Sequence, residues 1–215
     1  TKANFKALGF SGLDTNFGAS DGTFSFSDSF NFDFDNRDGV SAGSYDFESV
    51  VLHEIGHVLG FISVVDEIDY RLAQGETTID GIAPTILDLF RFDSDNLPTD
   101  DAEFAAFGRD LSTEDSASLS DASIAYTMET GNATGSGQQA SHFKDNAEIG
   151  TMDPTLSPGE LAVLSAADLL ALDLIGWDVN PEAFLAIPEP AATALLTASL
   201  ALLCVMRRRS HMLVR

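Results

Sequence analysis

The sequence predicts an α+β fold, from two segments with helical periodicity and one stretch with the periodicity of a strand. Residues 47–59 place apolar side chains on one helix face and are followed by Gly60, a residue type that ends helices in a left-handed turn. Residues 165–176 begin with a serine and an aspartate at capping-box spacing and continue with an apolar helical stripe. Phenylalanine alternates with polar residues between positions 24 and 34, as in a half-buried strand. The expected domain therefore combines a mixed sheet edge with a central helix and a C-terminal helix.

The phenylalanine stretch comes before the central helix in chain order. Its aromatic residues are Phe24, Phe26, Phe30, Phe32 and Phe34. We expect a strand or hairpin here, whose edge could hold an extended peptide by backbone pairing. The acidic run at 33–39 follows, and we interpret it as a turn because Arg37 stands where a calcium-binding loop requires Asp or Asn. Asp46 or Ser44 is then the expected N-cap of a helix over 47–59.

The central helix carries a pattern of residues that suits a metal centre. His53 and His57 are four positions apart, so both imidazoles lie on one helix face and can bind one tetrahedral zinc ion. Glu54 lies beside them without having to ligate the metal, which suits a general base acting on water. The single cysteine, Cys204, excludes an intrachain disulfide and a cysteine-based zinc site. Further metal ligands must therefore be His, Asp or Glu.

A catalytic zinc ion usually has three protein ligands, so a third must come from another part of the chain. His142 is the best candidate, far along the chain from the helix. The carboxylates of Asp66 and Glu67 are alternatives, and Glu76 lies farther on. The remaining histidine, His211, follows an apolar segment and three arginines and is poorly placed. The residues themselves leave His142 and the two nearer carboxylates as open alternatives.

Two short downstream segments form an ordered pattern with the helix motif. Residues 138–145 contain His142 between a serine and a phenylalanine, and residues 148–154 contain Met152 before an Asp-Pro pair. The residues at 53–60 read His-Glu-x-x-His-x-x-Gly. In this order the motifs resemble the leishmanolysin-like branch of the metzincin zinc proteases, and in particular a bacterial metalloprotease family with a C-terminal sorting tail.

The resemblance implies a zincin-like (metzincin) catalytic domain at 1–180 that holds one Zn²⁺ ion. The implied site residues are the metal ligands His53, His57 and His142, the catalytic base Glu54, and the structural residues Gly60 and Met152. A lobe inserted at about 61–140 would separate the second and third ligands. Its expected features are a helix start around 83–85, an amphipathic run at 86–92, and a turn-rich, surface-facing remainder, with no metal at 93–97.

Three features depart from that family. Ser63 occupies the position where most metzincins carry the third histidine. The family's disulfides cannot form in a chain with one cysteine. The chain before His53 is shorter than the family's usual N-terminal sheet, so we expect part of the catalytic domain to be missing there.

The C-terminal segment has the composition of a targeting signal. A linker at 181–190 ends in Pro-Glu-Pro, and the tail at 187–215 continues with an apolar run at 191–206 and three arginines at 207–209. The apolar run is shorter than the about 20 residues that span a bilayer, and a buried core helix is the competing interpretation. The order of its parts resembles a PEP-CTERM sorting signal. That resemblance implies export in a Gram-negative bacterium, transient membrane association through the tail, and cleavage by an exosortase.

The overall charge restricts the partners of this protein. The chain has 34 acidic and 11 basic residues, for a net charge of −23, so we expect no binding to nucleic acid. We predict a secreted or envelope-associated zinc endopeptidase that acts on protein or peptide substrates. The alternative is a noncatalytic envelope or matrix adhesion protein with a zinc-stabilised scaffold.

Overall fold

A computed structural model describes residues 1–114, 116–180 and 182 of this chain, and within them the fold is mixed α+β. The helices of the described part are α1 (Lys2–Ala7), α2 (Leu13–Phe17), α3 (Phe47–Leu59), α4 (Val65–Ala73), α5 (Asp101–Ala106) and α6 (Ala166–Leu174). The strands are β1 (Phe32–Asp33), β2 (Tyr45–Asp46), β3 (Arg91–Asp93), β4 (Ala117–Ser120) and β5 (Ala125–Met128). Strands β1 and β2 pair in parallel, and β3, β4 and β5 form an antiparallel sheet in that order.

The hydrophobic core lies between the three-stranded sheet and α6. Its buried members are Phe61, Leu87, Ala117, Leu119, Met128, Phe143, Met152, Ala167, Ala171 and Ile175. Five of these residues come from the segment at 61–140 that was expected to face the surface. The surface-facing description of that segment is therefore wrong, because its sheet supplies one side of the core.

Both ends of α3 are formed as the sequence predicts. The Asp46 side chain caps the N-terminus by accepting a hydrogen bond from the Ser49 amide at 2.7 Å. At the C-terminus Gly60 has φ 120°, the amide of Gly60 donates to His57 O, and the amide of Phe61 donates to Gly56 O. These two bonds form a Schellman motif, which requires a positive φ at the glycine position. The predicted helix bounds and the N-cap are confirmed.

Helix α6 is tied to the end of α3. The capping box of Ser165 and Asp168 is present, as the sequence predicts. Just after α6, the Trp177 indole N–H donates to Leu59 O at 2.9 Å. From the N-terminal side, Asn4 Nδ2 donates to Ile175 O at 2.7 Å. The Trp177 bond joins the C-terminal ends of α3 and α6, and the Asn4 bond joins α1 to the end of α6.

The strand or hairpin predicted for the phenylalanine stretch is wrong for most of its length. Only β1 is a strand, and it pairs with two residues just before α3. The side chains of Phe24, Phe26, Phe30 and Phe34 are exposed. Several of these rings contact Phe47 or one another, but within the described residues no strand pairs with 24–30. Alternation alone does not form a strand, because the backbone amides also need a partner. The expected peptide-holding edge is absent here for the same reason.

The helix predicted to start at 83–85 is also wrong. A single 3₁₀ turn spans Leu87–Phe90, and β3 follows it directly. The buried Asp88 carboxylate accepts hydrogen bonds from the amides of Thr85 at 2.7 Å and Val64 at 3.0 Å, which anchors this turn to the start of α4. Pairing of Arg91–Asp93 with β4 then replaces further helical turns.

The linker and sorting tail lie almost entirely outside the described residues. Within the part of the chain that the structure does describe, no helix is both long enough and apolar enough to span a bilayer.

Candidate metal centre

Three imidazole nitrogens lie close together in the described structure. The Nε2 atoms of His53 and His57 are 3.1 Å apart, and the Nε2 atom of His142 lies 3.1 Å from the first and 3.2 Å from the second. The first two side chains are half-buried, and His142 is 5% exposed. The structure thus brings together the two helix histidines and the distant one that the sequence singled out.

The other ring nitrogens determine which tautomer each histidine adopts. Each Nδ1 faces a backbone carbonyl oxygen: Thr151 O at 3.0 Å from His53, Phe61 O at 2.8 Å from His57, and Gln139 O at 3.0 Å from His142. A carbonyl has no hydrogen to give, so each Nδ1 must carry the proton and donate it. A ring that is neutral then presents an unprotonated Nε2, so three neutral rings would direct three lone pairs toward one another. A cation bound between the three nitrogens would stabilise this arrangement.

The triangle of nitrogens fits a tetrahedral zinc ion. An ion about 2.0–2.1 Å from each nitrogen requires N···N separations of about 3.3 Å, close to those observed. Burial is the main cause that lowers the pKa of His142 to about 4, and the neighbouring His57 ring contributes to the same shift. Burial also lowers the pKa of His57. Both rings are therefore neutral at pH 7, the state in which histidine binds a metal.

Helix α6 supports the centre from the side of His53. The buried carboxylate of Asp168 accepts hydrogen bonds from the amides of Thr151 at 2.8 Å and Met152 at 3.2 Å, in addition to its role in the capping box. Thr151 in turn presents its carbonyl to the Nδ1 of His53. The sequence indicates Asp168 only as a helix cap, because the amides that its carboxylate binds lie 16 and 17 positions away.

Met152 packs directly against α3. Its side chain is 3% exposed and lies over Gly56, between the two helix histidines. A Cβ atom at position 56 would overlap the Met152 sulfur. The glycine inside the helix motif therefore has a packing role that the sequence pattern alone does not reveal.

We predict that Gly56→Ala lowers the free energy of unfolding. Overpacking of a buried contact typically costs about 1–3 kcal/mol, which opposes the gain of about 1 kcal/mol in helix propensity. Urea unfolding of the metal-free protein measures the net effect. Gly108→Ala is the matched control, because a Cβ there meets no atom within 4 Å. In a Met152→Ala background the cost of Gly56→Ala should disappear, and an unchanged cost would contradict the packing role.

The carboxylates near the centre have different surroundings. Glu54 is half-buried and accepts no hydrogen bond from the described part of the chain, so its oxygens are free to bind a water molecule. Glu67 accepts a hydrogen bond from Arg71 at 2.7 Å, and Glu76 lies 3.9 Å from the same guanidinium. Asp66 hydrogen-bonds to the loop that precedes His142. None of these three alternative carboxylates belongs to the histidine cluster.

Comparison with known proteins gave no match to a family model, a curated protein or a solved structure.

Proposed function

We propose that this chain is a zinc-dependent endopeptidase with a metzincin-type catalytic domain. The observation that supports the metal is the convergence of three Nε2 atoms within 3.2 Å of one another. His53, His57 and His142 are the proposed ligands. Support for peptide hydrolysis comes from Glu54, a carboxylate beside the ligands with no competing partner in the described residues.

A bound zinc ion would supply a Lewis acid that lowers the pKa of water and polarises the scissile carbonyl. Glu54 accepts the proton of the attacking water and delivers it to the leaving amine. The carbonyls of Thr151, Phe61 and Gln139 hold the ligand rings in the tautomer that the metal requires.

The metzincin assignment has additional support from the order of the elements. The glycine turn at Gly60 follows the helix motif, and Met152 packs against Gly56, which lies between the two histidines in the sequence. The proposed protein acts outside the cytoplasm, because its C-terminal tail resembles a PEP-CTERM signal that an exosortase recognises. Protein or peptide substrates follow from the proposed reaction.

Metal removal provides the direct test. We expect the zinc-loaded protein to cleave a casein-like substrate, to lose this activity in a chelator, and to recover it when Zn²⁺ is returned. The metal-free protein with added Mg²⁺ serves as the control, since Mg²⁺ prefers oxygen ligands and six-fold coordination. A protein that binds one zinc ion and cleaves no substrate would instead favour the noncatalytic adhesion protein.

A further inference from the structure

We infer that Asp66 is a positioning residue for the third metal ligand, and that it orders the loop from which His142 reaches the helix histidines. The inference rests on the proposed metal centre and does not depend on peptide hydrolysis. It gives Asp66 a role different from that of a ligand, which the sequence left open.

The chain on the two sides of His142 is held in different ways. On the downstream side, the carbonyl of His142 accepts from the amide of Glu129 at 3.1 Å, and Phe143 forms a β-bridge with Met128. These bonds attach that side to the end of β5. On the upstream side, the amides of Ala140 and Ser141 have no backbone acceptor among the described residues. That side therefore depends on side chains for its position.

The Asp66 carboxylate supplies the missing acceptors. Its Oδ1 accepts from the Ala140 amide at 2.6 Å, and its Oδ2 accepts from the Ser141 amide at 3.2 Å and from the Ser141 hydroxyl. Both oxygens accept hydrogen bonds from this loop, and the carboxylate does not belong to the histidine cluster. Ala140 and Ser141 are buried, and burying their amides without partners would be costly.

A short segment of chain connects Asp66 to the metal-binding helix. Asp66 lies in the first turn of α4, which begins five residues after Gly60. The Ser141 hydroxyl that donates to Asp66 also accepts from the amide of Ser63 at 2.8 Å. The loop bearing His142 is thus bonded twice to the segment that leaves α3. The separation between His142 and the helix histidines is set through these bonds.

A buried cation balances the charge of this cluster. Arg91 is fully buried, and its guanidinium donates to the carbonyls of Glu129 at 2.9 Å and Ala140 at 3.5 Å. These two carbonyls belong to the strand end and the loop that flank His142. The guanidinium is also attracted electrostatically to Asp66. The buried guanidinium therefore bonds to the backbone on both sides of His142.

The test compares Asp66→Asn with Asp69→Asn. Asp69 is on the same helix and makes equivalent bonds to a different loop, accepting from the amides of Ala133 at 2.8 Å and Thr134 at 2.7 Å. In Asp66→Asn, the side-chain NH₂ group would face a backbone N–H of the loop and could not accept its hydrogen bond. We therefore expect zinc binding to weaken by roughly 10–100-fold, the usual effect of losing a partner that orients a ligand. We expect Asp69→Asn to bind zinc like the wild type. Competition with a chromophoric chelator measures the affinities.

Cobalt substitution distinguishes a positioning role from a general loss of stability. We expect the visible bands of the Co²⁺-loaded wild type to be weakened and shifted in Asp66→Asn, since one nitrogen ligand is displaced, and to be unchanged in Asp69→Asn. If Asp66→Asn does not fold, Ser141→Ala decides, because it removes one of the three bonds to Asp66 together with the bond from the Ser63 amide, and it should weaken zinc binding several-fold. Wild-type affinity and spectrum in the folded variant would overturn the inference while leaving the metal centre intact. A wild type that binds neither metal would overturn the proposed function itself.

Discussion

Glu54→Gln should reduce peptide hydrolysis by about 10²–10⁴-fold while zinc binding is retained, because general-base catalysis contributes about that factor. Glutamine has nearly the same shape as glutamate but cannot accept the proton of the attacking water. The loss corresponds to about 3–5 kcal/mol in the activation barrier. The two measurements are kcat/KM on a casein-derived peptide and zinc content of the purified protein. The histidine ligands are untouched by this change, so their nitrogen atoms should still hold the ion.

Glu48→Gln is the matched control for this prediction. Glu48 is also on α3, is exposed, and accepts a hydrogen bond from Asn36 at 3.3 Å that a glutamine oxygen can also accept. We expect wild-type activity from this variant. Full activity in Glu54→Gln would show that another group accepts the proton, and loss of zinc from that variant would show that Glu54 acts as a ligand.

The second large effect is expected for His142→Ala. Loss of a residue that hydrogen-bonds to a metal ligand typically weakens metal binding by roughly 10–100-fold, and we expect the loss of this ligand itself to weaken zinc binding by more. The change removes one of three converging nitrogens and leaves two half-buried helix histidines that form an incomplete site. Hydrolytic activity should be lost in parallel at zinc concentrations that saturate the wild type. Isothermal titration of the metal-free protein with zinc measures both affinity and stoichiometry.

Glu67→Ala provides the comparison for His142→Ala. The carboxylate of Glu67 was an alternative third ligand, and in the structure it pairs with Arg71 on the same helix. Removing an exposed ion pair has little effect on stability, so this variant should bind one zinc ion with wild-type affinity. A loss of affinity in Glu67→Ala, with normal binding in His142→Ala, would reverse the ligand assignment.

The central helix could be predicted from the sequence because every signal in it is local. The N-cap of Asp46, the apolar stripe and the glycine at position 60 lie within one stretch of chain, and the helix bounds follow from them. The spacing of His53 and His57 needs only helical geometry to place both rings on one face. The capping box of α6 was recognisable for the same reason.

The phenylalanine stretch shows where local periodicity is insufficient. Its alternation is that of a strand, yet Phe34 is 75% exposed and only β1 forms a strand. An alternating segment forms a strand only if its backbone pairs with another strand. The sequence of the segment does not show which strand that would be. The segment at 86–92 does not form the predicted helix, because its last residues pair with β4 as part of β3.

The sequence by itself determined the helix motif, its two histidines and the adjacent glutamate, because those relations depend only on the rise and turn of one helix. It also brought His142 forward as a candidate, but it could not exclude the carboxylates of Asp66 and Glu67. Only the tertiary structure brought the His142 nitrogen within 3.2 Å of the helix histidines and committed both oxygens of Asp66 to the neighbouring loop. The physical reason is that such contacts depend on how the chain between α4 and β5 folds back on α3, and no periodicity within a segment encodes that return.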